Sequence, residues 1–117
     1  MLSLAADTRI FVVAGATDMR KGFDGLMGFV LGVLEQDPLS GHLFLFVNRR
    51  RDKLKILYWD RDGLAIWYRR LEQGTFQMPQ LSADQKSAEI HSEELVMLLR
   101  GIDYHQARRR KRYALTG

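Results

Sequence analysis

The sequence predicts an α+β fold: one domain whose mostly antiparallel sheet, of about four to five strands, carries a glycine-striped helix on one face and a second short helix near the C-terminus. Three observations predict it. Short, β-rich apolar runs recur between turn signals. Two other segments space their apolar residues three and four apart, the period of a helix. The length of 117 residues, 46% of them apolar, suffices for one buried core. The domain is expected to span residues 1–103, with residues 104–117 as a basic tail.

The elements follow in order. Residues 9–14 (RIFVVA) read as a strand that Gly15, Ala16 and Thr17 interrupt. A helix is expected next, capped by Thr17 or Asp18, with Phe23, Leu26, Met27, Val30 and Leu34 as its inner face. Gly25, Gly28 and Gly32 form another stripe on it. Each costs up to ~1 kcal/mol relative to Ala, so the stripe is expected to let the helix backbone approach the sheet closely. After a turn at residues 36–41, residues 42–47 (HLFLFV) are apolar almost throughout, as in a strand covered on both faces. Residues 48–52 form a polar loop. Residues 53–59 then alternate, Leu54, Ile56 and Tyr58 on one face and Lys53 and Lys55 on the other.

Asp60, Arg61, Asp62 and Gly63 read as a hairpin turn, with the glycine supplying any positive φ. Residues 64–71 fit either a strand or a helix; the need for a hairpin partner favours the strand. Residues 75–81 are irregular around Pro79, and residues 87–91 are expected as a short strand. Ser92 then caps a helix with Glu93 and Glu94 in its first turn, Leu95, Leu98, Leu99 and Ile102 on its inner face, and Gly101 at its end.

Composition narrows the function. The absence of cysteine excludes disulfides, thiolate metal sites and Cys nucleophiles. No apolar run approaches the roughly 18 residues of a membrane span, and the first residues do not read as a signal peptide. A cytoplasmic protein with no membrane partner is expected. The net charge of +4 is unevenly spread: residues 1–48 carry −2, residues 49–70 carry +5, residues 71–107 carry −4 and the last ten carry +5. Two basic blocks on an acidic body imply a directed partner surface.

The first block, residues 48–70, interleaves cations with Tyr58, Trp59, Trp67 and Tyr68, the mixture suited to phosphates and bases. Arg49, Arg50, Arg51, Lys53, Lys55, Arg69 and Arg70 are the candidate phosphate contacts, while the aromatics are expected mainly in the core. Arg20 and Lys21, placed in the first turn of the expected helix, form a candidate phosphate-binding corner. The alternative pairs Arg20 with Asp24 and leaves Lys21 solvated. Arg108, Arg109, Arg110, Lys111 and Arg112 form a candidate nucleic-acid arm. Asp18, Asp24, Asp52, Asp60 and Asp62 have local structural explanations, and His42, His91 and His105 lack ligand spacing, so no catalytic residue, metal or cofactor is assigned.

Three stretches carry a family resemblance: GATDMRKGFDGL (residues 15–26), SGHLFLFVNRRRDKLKILYWDRDGLAIWYRRLEQGTF (residues 40–76) and ELVMLLRGID (residues 94–103). Their order resembles the accessory transposition proteins encoded by the second open reading frame of insertion sequences of the insertion-sequence-66 class. Ala16 stands where that family usually has proline, and the arginine-rich tail lies outside the match. The resemblance implies a helper acting beside a separate transposase, with no catalytic residues of its own. The expected function is therefore non-catalytic support of DNA transposition, with DNA as partner through the basic loop and hairpin. The alternative is an adaptor that binds the transposase subunit without touching DNA.

Overall fold

The computed structural model describes residues 4–101. The chain runs β1 (Ile10–Val13), α1 (Phe23–Gly32), β2 (Leu43–Val47), β3 (Lys53–Asp60), β4 (Gly63–Arg70), β5 (Ser87–Ile90) and α2 (Ser92–Leu99). One five-stranded sheet forms in the order β4-β3-β2-β1-β5. α1 connects β1 to β2 as a crossover, which makes that pair parallel; the other three pairings are antiparallel. The α+β expectation holds.

Both faces of the sheet are covered, and strand alternation divides the core accordingly. On one side Phe11, Val13, Phe44, Phe46 and Leu57 pack against Leu26 and Val30 of α1. On the other, Ile10, Val12, Leu45, Leu54 and Ile56 meet Leu95 and Leu98 of α2 together with Phe76. β2 lies mid-sheet with all five residues buried, as its unbroken apolar run requires. Residues 64–71 resolve as a strand: β4 pairs with β3 from Lys53↔Arg70 to Asp60↔Gly63.

Several local expectations are overturned. α1 begins at Phe23 with Gly22 as its N-cap, not at Thr17 or Asp18. The Asp18 carboxylate instead accepts from the Arg20 N–H at 2.9 Å, which closes a turn ahead of the helix and leaves Asp24 in its first turn. Phe23 is consequently 48% exposed at the helix entrance. The glycine stripe faces solvent: Gly25, Gly28 and Gly32 are exposed, and a Cβ at Gly28 or Gly32 would meet nothing within 4 Å. Close approach to the sheet is therefore not their role; Leu26 and Val30 on the opposite side of α1 make that contact. At the β3–β4 turn the positive φ belongs to Arg61 (59°), not to Gly63. α2 is capped by His91, with the Glu94 side chain returning to the His91 N–H at 3.2 Å, a capping box one residue earlier than expected. Gly101 (φ 73°) ends it.

Candidate nucleic-acid interface

The basic loop between β2 and β3 is shaped by one asparagine. Asn48 Oδ1 accepts from the N–H groups of Asp52 (3.1 Å) and Lys53 (3.0 Å), while its Nδ2 donates to Asp52 Oδ1 at 2.7 Å. Arg51 turns the chain with φ 61°. The carbonyls of Arg51 and Asp52 accept from the N–H groups of Phe76 and Leu71, each at 2.7 Å, tying the loop to the segment after β4. That bracing leaves the side chains of Arg49 and Arg50 exposed. The hydrogen bond from Asn48, aided by nearby Lys53 and Arg50, holds the Asp52 carboxyl below its ordinary range.

Beside this loop lies the turn before α1. Thr17 N–H donates to the Val47 carbonyl at 2.7 Å, which fixes the turn against the end of β2. Arg20 and Asp18 form a two-point ion pair with a shortest distance of 2.7 Å. The Arg20 hydrogen bonds hold the Asp18 carboxyl down at about 2. Arg20 therefore pairs with Asp18, not Asp24, because it precedes the helix. Its guanidinium side chain stays 92% exposed despite the pair.

These parts border one face. A depression of about 600 Å³ is lined by Thr17, Arg20, Arg49, Arg50, Lys53 and Tyr68. Arg49 also borders a second cleft of about 620 Å³ above the carboxyl ends of β1 and β2, with Arg51 and Gln85 on its walls. Lys53 and Tyr68 also border a third, of about 330 Å³, with Arg70 and Glu72. Shared residues thus link three depressions into a groove whose rim carries Arg20, Arg49, Arg50, Arg51, Lys53 and Arg70. Arg70 pairs with Glu72 at 2.9 Å across solvent.

Three cations of the candidate set, Lys21, Lys55 and Arg69, lie elsewhere. Lys55 is 8% exposed, and its ammonium donates to the carbonyls of Met19 (2.7 Å) and Lys21 (2.8 Å) while lying 4.8 Å from the centre of the Tyr68 ring. It fastens the turn before α1 to the sheet. Arg69 projects to the opposite side, where it donates to the Leu99 carbonyl at 2.9 Å near the end of α2. Lys21 is exposed, its carbonyl held by Lys55. Arg108, Arg109, Arg110, Lys111 and Arg112 lie outside the described residues.

The aromatics divide as well. Tyr58 is buried and Trp67 packs against the α2-side core, whereas Tyr68 is 50% exposed inside the groove. Sequence reasoning had no means of separating it from its neighbours until β4 was paired. Asn48 was missed too; an Asn before a run of arginines was the available signal. Asp18 and Asp52 border the same depression, but among the described residues no three His, Asp or Glu side chains gather to hold a metal. No helix among the described residues is long and apolar enough to cross a membrane.

A family model described as IS66 Orf2-like protein matches residues 8–109. An uncharacterized protein, y4hO, of Sinorhizobium fredii is 38% identical over 104 residues, covering 89% of each chain. A second uncharacterized protein of the same strain, y4jC, is 32% identical over 112 residues, covering 94% of this chain and 92% of its own. No solved structure matches.

Proposed function

We propose, from the premise that this chain belongs to the IS66 Orf2-like family, that it serves transposition of its insertion sequence by binding nucleic acid along the groove beside the β2–β3 loop. Family membership supports an accessory role in transposition. The observation that carries the binding step is the convergence of Arg20, Arg49, Arg50 and Lys53 with the exposed ring of Tyr68 on one depression. Asp18 and Asp52 share that lining and offset only part of the charge, so a polyanion meets net positive charge there and releases its own counterions on binding. Tyr68 offers a π-face to a base. Among the described residues no helix borders the groove as a recognition helix, so phosphate contact and stacking are its means of binding, with little discrimination of sequence.

Fluorescence anisotropy of labelled DNA, titrated at several salt concentrations, tests this. Binding at low salt, with log K falling against log salt at a slope steeper than about −3, is the expected result. Changing Arg49 and Arg50 together to Ala is expected to flatten the slope by about 2. No DNA affinity at low salt, combined with tight binding to the transposase subunit of the same element, would overturn the proposal in favour of the adaptor.

A further inference from the structure

The two outer strands of the sheet are built differently. β5 is four residues long and carries Glu89, which Arg9 holds through Nε and Nη2 at 2.7–3.2 Å, so that edge is short and charged. β4 is eight residues long and, among the described residues, pairs with β3 alone. From Leu64 to Tyr68 it has no proline, glycine, bulge or charge, the devices by which sheets ordinarily protect an exposed edge. Leu64, Ala65, Ile66 and Trp67 are half-buried there, and Tyr68 is exposed.

We propose that this edge pairs with the β4 edge of a second copy of the chain, antiparallel, about a two-fold axis at Ile66. The register follows from the hairpin. Asp60 and Gly63 close a two-residue turn, so Gly63, Ala65, Trp67 and Arg69 turn their backbone groups to β3, and Leu64, Ile66, Tyr68 and Arg70 turn theirs outward. Only an even-to-even alignment satisfies those outward groups. With the axis at Ile66, Leu64 meets Tyr68 of the second copy, Ile66 meets itself and Ala65 meets Trp67, apolar against apolar on both faces. Arg70 then lies level with the second copy's Asp62, twice by symmetry. Moving the axis to Trp67 sets Arg70 against Leu64. Moving it to Ala65 sets Arg69 against Arg61, like charge against like. Of these three axes, Ile66 sets apolar against apolar from Leu64 to Tyr68 and Arg70 against Asp62, while Arg69 faces Gly63 and meets no like charge. The exposed pair of Arg70 with Glu72 gives way readily, since both side chains are mostly in solvent. The dimer joins the two sheets with both α1 faces on one side and sets the two basic loops at opposite ends of the paired β4 strands.

Sedimentation equilibrium on the full chain tests this, with circular dichroism confirming that each variant folds. A dimer is expected for the natural sequence. Ile66→Lys, which opposes two cations at the axis, is expected to give monomers. Asp62→Arg and Arg70→Asp each set like charges opposite one another and are expected to weaken self-association at least tenfold. Mixing these two variants is expected to restore association as a heterodimer, because both cross-pairs are then opposite in sign. A monomeric natural chain at roughly 100 μM, far weaker than a standard interface, overturns the proposal. So does a dimer indifferent to Ile66→Lys, or one in which mixing restores nothing. If Ile66→Lys fails to fold, the mixing experiment decides alone.

Discussion

Lys53 and Lys55 leave β3 on the same side of the sheet, two residues apart, and serve different ends. Lys55 lies beneath the turn that enters α1, where two backbone carbonyls have no helical partner, and its ammonium satisfies both. Lys53 stands at the root of the hairpin, its ammonium bonded to no carbonyl among the described residues, and borders the groove with Arg49 and Arg50. The same contrast separates Arg69, bonded to the end of α2, from Arg70 on the groove side. Cation density in a sequence therefore overstates an interface. What decides is whether an unpaired backbone carbonyl lies within reach.

The largest expected effect comes from breaking the structural half of this contrast. Lys55→Ala deprives two carbonyls of their donor and removes a packed stem, a loss of about 2–4 kcal/mol measurable by denaturant unfolding. Lys55→Met keeps the stem and is expected to recover only part of it. On the other half, Arg49→Ala with Arg50→Ala leaves the unfolding midpoint within about 0.5 kcal/mol of the natural chain, since both side chains are exposed. The same double change is expected to weaken DNA binding at least tenfold in anisotropy titrations. A double variant that unfolded early while still binding DNA would erase the distinction.

A smaller effect is expected at Arg69. Arg69→Ala removes one partly solvated hydrogen bond to Leu99 and costs about 0.5–1 kcal/mol, with DNA affinity changed less than by loss of Arg49. The smallest concerns Asp18 and Arg20, which are exposed. Because pairing lowers the Asp18 pKa from 3.8 to about 2, any stability from the pair is complete above pH 3.8 and disappears as the pH falls through about 2. An NMR titration should place the Asp18 midpoint near 2, and Arg20→Ala should return it toward 3.8. An unmoved midpoint would mean that Arg20 is free, which enlarges the cationic rim.

Much of the fold was legible because periodicity is a local property. The alternation of residues 53–59, the continuous apolar run before Asn48 and the leucine spacing near the C-terminus each identified an element. Phe76, fully buried, was not legible: it is a lone aromatic in an irregular segment, with no period to reveal its burial. The glycine stripe misled for a related reason, since spacing shows that three glycines share a face but not which face meets the sheet. The start of α1 was misplaced because Asp18 can cap a helix or close a turn with equal chemistry. In the site, the dense run from Arg49 announced itself, while Tyr68 and Asn48 did not.

The sequence by itself determined the α+β class, the two helices and most of the strands, the family, and the concentration of charge beside the hairpin. These depend on patterns within about ten residues of one another and on motif order. Only the tertiary structure decided which cations are available. Met19 and Lys21 stand more than thirty positions from Lys55 along the chain, and Leu99 stands thirty from Arg69. A hydrogen bond over such a separation exists only once the sheet has ordered its strands, because the geometry that joins donor to carbonyl is a product of folding.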